Sequence, residues 1–425
     1  MNKIREIKNE LLNDSYFEID HKSGFKIFVY PKENYSSAYA VFGTKYGSID
    51  TCFRVEGNEE FTTVPEGIAH FLEHKLFESE ELDAFARYAK TGASANAYTS
   101  FDKTCYLFQC SGNFDKSLEI LLDFVSNPYF TEKTVQKEQG IICQEIKMYQ
   151  DEPGWESLFS LLRAMYHNHP VRIDIAGTVE SISHITADLL YECYETFYNP
   201  ANMALAVAGN VTVPQVLEIA DRMLKPKTSR EIERKFQMEP ETVVEDTVVR
   251  NLAVSMPIFA IGYKEKIETP CRSLKETLES NILLDIIGGK TSPLYEEMLT
   301  DGLINTTFDI EYFEGFGYSA HIFNGESNEP EKVRARINLE IEKMKEKGID
   351  KETFDRIKKK HYGGFIMNFN DIDSISNSLI GSYFNGDGLF DQLNVLESIT
   401  LEDVNNRLRN AFNIENSSMS IIKQS

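Results

Sequence analysis

The second half of the chain repeats a segment of the first half, and this repeat constrains the fold more than any other feature. Residues 185–207 read ITADLLYECYETFYNPANMALAV, and residues 399–421 read ITLEDVNNRLRNAFNIENSSMSI. The two segments lie 214 residues apart in a chain of 425. Each is typical of a helix, a short turn flanked by Asn and a following strand. A repeat near the end of each half indicates a duplicated domain.

Both halves mix alternating apolar segments with amphipathic ones, such as 104–110 for a strand and 116–125 for a helix. This mixture predicts an α+β fold with two homologous α/β sandwich domains, each a largely antiparallel sheet covered by helices. We expect the first domain at 1–228 and the second at 245–425. The linker is expected at about 229–244, within a charged stretch that contains proline.

Composition excludes some classes of partner. The formal net charge of −23 disfavours nucleic acid as a partner. No apolar run approaches the ~20 residues that cross a membrane, and the mixed charge of the N-terminus is unlike a secretory signal or a transit peptide. Six cysteines without a C-x-x-C pair indicate reduced thiols, and hence a cytoplasmic protein.

The first half carries the motif H-x-x-E-H at His70, Glu73 and His74. On a helix, the two imidazoles project from one face, one turn apart, where they could share a Zn²⁺ ion. Glu73 lies beside them and could accept a proton from water. Thr63 and Glu66 fit a capping box and predict the helix start. Alternatively, both histidines are core residues that bond to the backbone.

A catalytic zinc site takes three protein ligands and leaves one position open. Residues 131–149 predict a helix whose apolar stripe also carries Glu138 and Glu145. A carboxylate on a core-facing stripe needs a partner or a metal, so Glu145 is a candidate ligand and Glu138 a candidate for orienting a ligand or water. Alternatively, both side chains reach solvent from the helix, and the residues alone leave the two interpretations open.

Further motifs extend the pattern over nearly the whole chain. They are, in chain order, GASANAYT at 92–99, Glu138-x₆-Glu145, His169-Pro170, GTVESI at 177–182 and YNPAN at 198–202. In this order and spacing, the chain resembles the pitrilysin/insulinase zinc peptidases, which are inverzincins and include the mitochondrial processing peptidase. Within that family it is most similar to bacterial YmfH-type members.

The resemblance implies one Zn²⁺ per chain, held by His70, His74 and Glu145. It also implies that Glu73 is the general base and that Glu138 assists catalysis. The implied function is a metalloprotease that cleaves short or unfolded peptides through attack by metal-activated water. In such proteins the two similar domains enclose a chamber.

The resemblance also implies an edge strand that pairs with the backbone of the peptide substrate. The substrate-binding residues of that strand would be Ala95, Asn96, Ala97 and Tyr98, with Asn96 pointing into the cleft. The residues alone favour a turn or strand-end role for Asn96.

The chain departs from the family pattern in its second half. Many relatives carry an Arg and a Tyr, seven residues apart, that bind the substrate carbonyl, but Leu299 and Asn305 or Thr306 stand there instead. Loss of one such donor can cost about 10²–10³ in rate. We therefore expect a dimer in which a sister subunit supplies the pair and this chain the zinc. Alternatively, the chain hydrolyses only special peptides, or is a zinc-binding scaffold or partner subunit with little activity.

Overall fold

The computed structural model describes residues 2–266 and 269–424. The chain forms two compact units, each built from three segments that are separate in sequence. The first unit consists of Met1–Ile146, Asp174–Lys235 and Ile366–Phe390. The second consists of Lys147–Ile173, Phe236–Phe365 and Asp391–Ser425. The predicted limits of 1–228 and 245–425 follow the two halves of the sequence and stay a prediction.

Strands and helices alternate along the chain. The strands are β1 (Lys3–Asn9), β2 (Asp14–Asp20), β3 (Lys26–Pro31), β4 (Ala38–Thr44), β5 (Cys52–Val55), β6 (Thr62–Thr63), β7 (Ser94–Thr99), β8 (Thr104–Cys110), β9 (Met203–Gly209), β10 (Ile232–Arg234), β11 (Thr247–Leu252), β12 (Ile258–Lys264), β13 (Asp309–Gly315), β14 (Tyr318–Glu326) and β15 (Ser417–Gln424). The helices are α1 (Ile68–Leu76), α2 (Ala84–Ala89), α3 (Phe114–Ser126), α4 (Glu132–Gln150), α5 (Pro153–Met165), α6 (Val179–Ser183), α7 (Ala187–Phe197), α8 (Val213–Met223), α9 (Leu274–Gly288), α10 (Pro293–Thr300), α11 (Pro330–Lys347), α12 (Lys351–Asn368), α13 (Ile372–Asn385), α14 (Asp391–Ser398) and α15 (Leu401–Ala411). None of these helices is both long and apolar enough to span a lipid bilayer.

The two units contain sheets of the same design. The first unit has a seven-stranded sheet in the order β1-β2-β3-β9-β4-β8-β7, and the second a five-stranded sheet in the order β11-β15-β12-β14-β13. In the first sheet, β3 and β9 are parallel and every other pair is antiparallel. In the second, only β11 and β15 are parallel. This shared order and direction confirms the predicted fold class of two homologous, largely antiparallel sheets covered by helices.

Burial along the strands explains their order in the first sheet. Every residue of β4 and of β9 is buried, as their continuous apolar sequences AYAVFGT and MALAVAG require of central strands. In contrast, β7 alternates exposed and partly buried residues at its start and lies at the sheet edge. Its outer backbone groups are therefore not paired within this sheet.

Each sheet is covered by a helix from the opposite half of the sequence. The helix α13 packs on β4 and β9 in the first unit, although it lies near the C-terminus. The helix α5 packs on β12 and β15 in the second unit, although it belongs to the first half. The two halves thus exchange a helix.

A glycine lies where each exchanged helix crosses its sheet. Gly43 of β4 pairs with Ala204 of β9, and Gly262 of β12 pairs with Ser418 of β15. The two glycines therefore occupy equivalent positions in the two sheets. A Cβ atom at Gly43 would lie 3.0 Å from the Ile380 side chain of α13. A Cβ atom at Gly262 would lie 2.5 Å from the sulfur of Met165 in α5. A larger residue at either position would have to displace the side chain of the exchanged helix.

Candidate metal centre

The helix that carries the H-x-x-E-H motif begins later than the sequence predicts. The predicted capping box is wrong, because Thr63 lies in β6 and α1 follows Gly67, which makes no side-chain cap. Gly67 has φ +85°, and a Cβ atom there would lie 2.3 Å from the carbonyl oxygen of Ala176. Contact with the segment at 176–177 thus sets the start of the helix, and only glycine fits it.

The structure brings together His70, His74 and Glu145, the three side chains that the resemblance implies as ligands. Each offers one ligand atom, and these atoms lie within 4.8 Å of one another. The Nε2 atoms of His70 and His74 lie 3.7 and 3.5 Å from the two carboxylate oxygens of Glu145. A tetrahedral site with bonds of about 2.1 Å separates its ligand atoms by about 3.4 Å. Two imidazoles and one carboxylate at this spacing fit a zinc ion.

The helix α4 supplies Glu145 to this group and places a second carboxylate, Glu138, next to it. Its buried apolar side chains hold the helix in the core, and they are Val135, Ile142 and Ile146. Glu138 is also buried, and its Oε1 lies 3.0 Å from Nδ1 of His74. Because an ionised carboxylate only accepts hydrogen bonds, this contact favours the His74 tautomer with hydrogen on Nδ1 and leaves Nε2 unprotonated, facing Glu145.

The electrostatics of the two histidines differ. Burial, assisted by the nearby charge of His74, lowers the pKa of His70 to about 3, so its imidazole is neutral at pH 7. Burial also disfavours the charged form of His74, but the hydrogen bond with Glu138 and the charges of Glu73 and Glu145 raise its pKa overall. A neutral imidazole is the form that binds a metal, and metal binding at His74 would release any proton that Nε2 carries.

Glu73 is buried and lies beside His70, His74 and Glu145, which we call the metal group. Its side chain is nearly covered, and its Oε2 accepts a hydrogen bond of 2.6 Å from the Thr99 hydroxyl. Burial raises the pKa of Glu73, and the bond from Thr99 opposes that change. Sequence analysis did not single out Thr99, whose only signal is its place at the end of the 92–99 motif.

The predicted substrate strand is β7, and its residues face two different ways. Ala95 and Ala97 pack against the core of the first unit, on the same strand face as Thr99. Asn96 and Tyr98 therefore lie on the opposite face, where the Tyr98 hydroxyl donates to Asn377 of α13 over 3.0 Å. The structure brings the end of β7 to Glu73, but not the side chains of Asn96 and Tyr98.

Two of the other sequence motifs support the fold. His169 is buried in the second unit, where its Nδ1 accepts from the Val171 amide and its Nε2 donates to the Phe316 carbonyl over 3.0 Å. Ser181, within the 177–182 motif, donates to the carbonyl of Glu66 just before α1. This second motif helps to fix the start of α1, the helix that carries His70 and His74.

The second unit has no counterpart of the metal group among the described residues. Leu299 is exposed on α10, and the Asn305 side-chain amide donates to Glu326 over 2.7 Å. The family resemblance leads us to expect an Arg/Tyr pair at these positions. Neither Leu299 nor Asn305 supplies a charged donor.

The fold is a duplicated α+β fold, and its first half carries two histidines and a glutamate arranged as in a metal site. Comparison with known proteins identifies the family. The model for insulinase (peptidase family M16) matches residues 61–179, and that for the peptidase M16 inactive domain matches residues 184–360. The chain is 44% identical to the uncharacterised zinc protease YmfH of Bacillus subtilis (strain 168), over 95% of each chain. The chain therefore belongs to peptidase family M16, as a YmfH-type member.

Solved structures agree with this assignment. An M16-like protein from Alicyclobacillus acidocaldarius superposes with a TM-score of 0.92 at 34% identity, covering 100% of this chain and 99% of that one. Pitrilysin has a TM-score of 0.76 at 17% identity, covering 99% of this chain and 46% of its own. The likeness to pitrilysin shows the fold alone.

Proposed function

We propose that this chain is a zinc-dependent endopeptidase that cleaves short or unfolded peptides. The observation that carries the proposal is the group formed by His70, His74 and Glu145, with the buried carboxylate of Glu73 beside it. The names of relatives, which are zinc proteases, support the same activity. Zinc held by these three side chains would supply a Lewis acid that activates water and polarises a peptide carbonyl.

The side chains around the metal group would divide the remaining work. Glu73 accepts a proton from the attacking water and returns it to the amine nitrogen when the C–N bond breaks. Glu138 keeps the His74 imidazole oriented through the contact at Nδ1.

Substrate binding would use the free edge of β7. A peptide added to this edge forms main-chain hydrogen bonds, which give affinity without demanding a particular sequence. The substrate-binding residues would be Ala95, Asn96, Ala97 and Tyr98, of which every second one directs its backbone N–H and C=O groups to the free edge. A peptide must be extended to pair in this way, so we expect short or unfolded substrates.

We further propose that the chain works in a dimer with a sister subunit, in the cytoplasm. Leu299 and Asn305 supply no cation for the substrate carbonyl, so a second chain would contribute the missing Arg/Tyr pair. The same observation favours one other function, a zinc-binding scaffold subunit with little activity. The match of residues 184–360 to an inactive-domain model is compatible with both.

Zinc content and peptide cleavage, measured together, test the proposal. A quenched peptide library is incubated with the chain alone and with its sister subunit, and zinc is counted by mass spectrometry. We expect about one zinc per chain and cleavage in the mixture. A Glu73→Gln variant should keep the zinc and lose turnover. Zinc without cleavage in either sample would favour the scaffold function.

A further inference from the structure

The hydroxyl of Thr99 has one proton, and the surrounding bonds determine where it goes. Its Oγ1 lies 2.6 Å from Oε2 of Glu73 and 3.3 Å from Oγ1 of Thr104. The Thr104 hydroxyl donates to the Tyr46 carbonyl over 2.9 Å, so it has no second proton for Thr99. The Thr99 proton is directed to Glu73, whose carboxylate can only accept.

We propose that Thr99 is a positioning residue for Glu73, which rests on the proposed function. The bond from Thr99 fixes Oε2 of Glu73 and leaves Oε1 as the oxygen that exchanges protons with water and with the leaving amine. A glutamate side chain has three rotatable bonds, so a second fixed point defines where Oε1 lies. The short distance of 2.6 Å is that of a bond to a charged oxygen.

The place of Thr99 in the sheet gives this bond a further role. Thr99 is the last residue of β7, whose free edge would pair with the peptide. The strand that aligns the substrate backbone therefore also aligns the base. A displacement of β7 would therefore disturb both the bound peptide and the Glu73 carboxylate.

The test compares two substitutions of Thr99 with a matched control. Thr99→Val removes the hydroxyl at nearly constant volume, and Thr99→Ser keeps it. Thr44→Val is the control, because Thr44 is a buried threonine of the same sheet that bonds to Phe197 and Asn202 instead. Thr99→Ala replaces the valine variant if that variant does not fold.

We expect Thr99→Val to lower kcat by about 10- to 100-fold, with KM and zinc content unchanged, because the base is misplaced while binding is kept. Thr99→Ser should restore kcat, and Thr44→Val should lower only the unfolding temperature. Crystal structures of the metal-free proteins give a readout apart from activity. Glu73 should adopt one orientation in the wild type and Thr99→Ser, and a displaced or divided one in Thr99→Val.

The outcomes separate this inference from the proposed function. If the wild type hydrolyses no peptide, alone or with its sister subunit, the proposed function falls and the inference with it. If the wild type is active and Thr99→Val has an unchanged kcat, or leaves Glu73 in place, only the inference is overturned. An equal loss of kcat in Thr44→Val would also overturn it.

Discussion

Glu138 lies outside the proposed ligand set, and we propose that it orients one of the ligands. It contacts Nδ1 of His74, on the side of the ring away from Glu145. Without its negative charge, residue 138 would accept a weaker hydrogen bond from Nδ1, and the tautomer and orientation of the His74 imidazole would be less well fixed. Carboxylates in this position contribute about 10- to 100-fold to metal affinity in other zinc sites.

We therefore expect Glu138→Gln to weaken zinc binding by about 10- to 100-fold while the fold stays intact. The dissociation constant is measured by competition with a coloured chelator. The control is Glu132→Gln, the same change on the same helix. The Glu132 carboxylate accepts from the Ala187 amide and not from a histidine, so this variant should leave zinc affinity unaltered. Equal affinities for the wild type and Glu138→Gln would contradict the role of this carboxylate.

A second residue-scale feature lies in the core of the second unit. Both oxygens of Glu265 accept from Arg407 over 2.8 Å, and Arg272 donates to one of them. Burial opposes ionisation of Glu265, but the interactions with His321 and the two arginines lower its pKa to about 2. The ordinary value is 4.5, so ionised Glu265 stabilises the folded state.

This shift predicts a loss of stability in acid. The contribution of Glu265 is fully present above pH 4.5 and is lost as the pH falls through about 2. Its size is about 3 kcal/mol. Glu265→Gln should lower the free energy of unfolding in urea by a similar amount at pH 7, because it leaves buried arginines unpaired.

The pH dependence gives this prediction its control. In Glu265→Gln, the free energy of unfolding should change less between pH 5 and pH 3 than in the wild type. Glu402→Gln removes an exposed carboxylate in the same unit and should cost no more than about 0.5 kcal/mol. Identical pH profiles for the wild type and Glu265→Gln would show that the Glu265 carboxylate does not contribute.

At the scale of elements, the crossing of α5 over β12 depends on Gly262. A methyl group there would meet the buried Met165 side chain, so Gly262→Ala should destabilise the protein by about 1–3 kcal/mol. Thermal and urea unfolding measure the loss. Gly363→Ala serves as the control, since a Cβ atom at this helical position meets nothing within 4 Å. The control should gain about 0.5–1 kcal/mol, and a gain in both variants would contradict the steric role of Gly262.

The elements also show what sequence reasoning could and could not reach. The strands at 104–110 and the helix over 131–149 follow from local periodicity, and both are present with nearly those limits. The start of α1 could not be found in this way, because a contact between Gly67 and Ala176 sets it. Periodicity and capping motifs depend only on residues that are close in sequence, so they do not predict contacts between residues that are far apart in sequence.

The same limit applied to the candidate site. Spacing alone placed His70 and His74 on one helix face, and the stripe of α4 brought Glu138 and Glu145 to the core side. The partner of Glu73 was out of reach, because Thr99 lies 26 residues further along the chain in a strand. A threonine at a strand end has no distinctive pattern, so only coordinates reveal its bond.

At the scale of the whole molecule, the exchange of α5 and α13 makes the two halves dependent on each other. We expect fragments 1–228 and 245–425 to be insoluble or loosely packed when produced alone, because each lacks the helix that covers its sheet. Produced together, they should associate into a folded pair. Circular dichroism, solubility and unfolding cooperativity measure this, and cooperative unfolding of either fragment alone would contradict it.

The exchange also bears on how the protein is made. The ribosome synthesises the chain from the N-terminus to the C-terminus, so β4 and β9 emerge long before α13 is made. Their apolar face must wait, uncovered, until residue 385 has left the exit tunnel. Nascent chains in this interval carry the surface on which aggregation starts, and they are the ones that chaperones would need to shield.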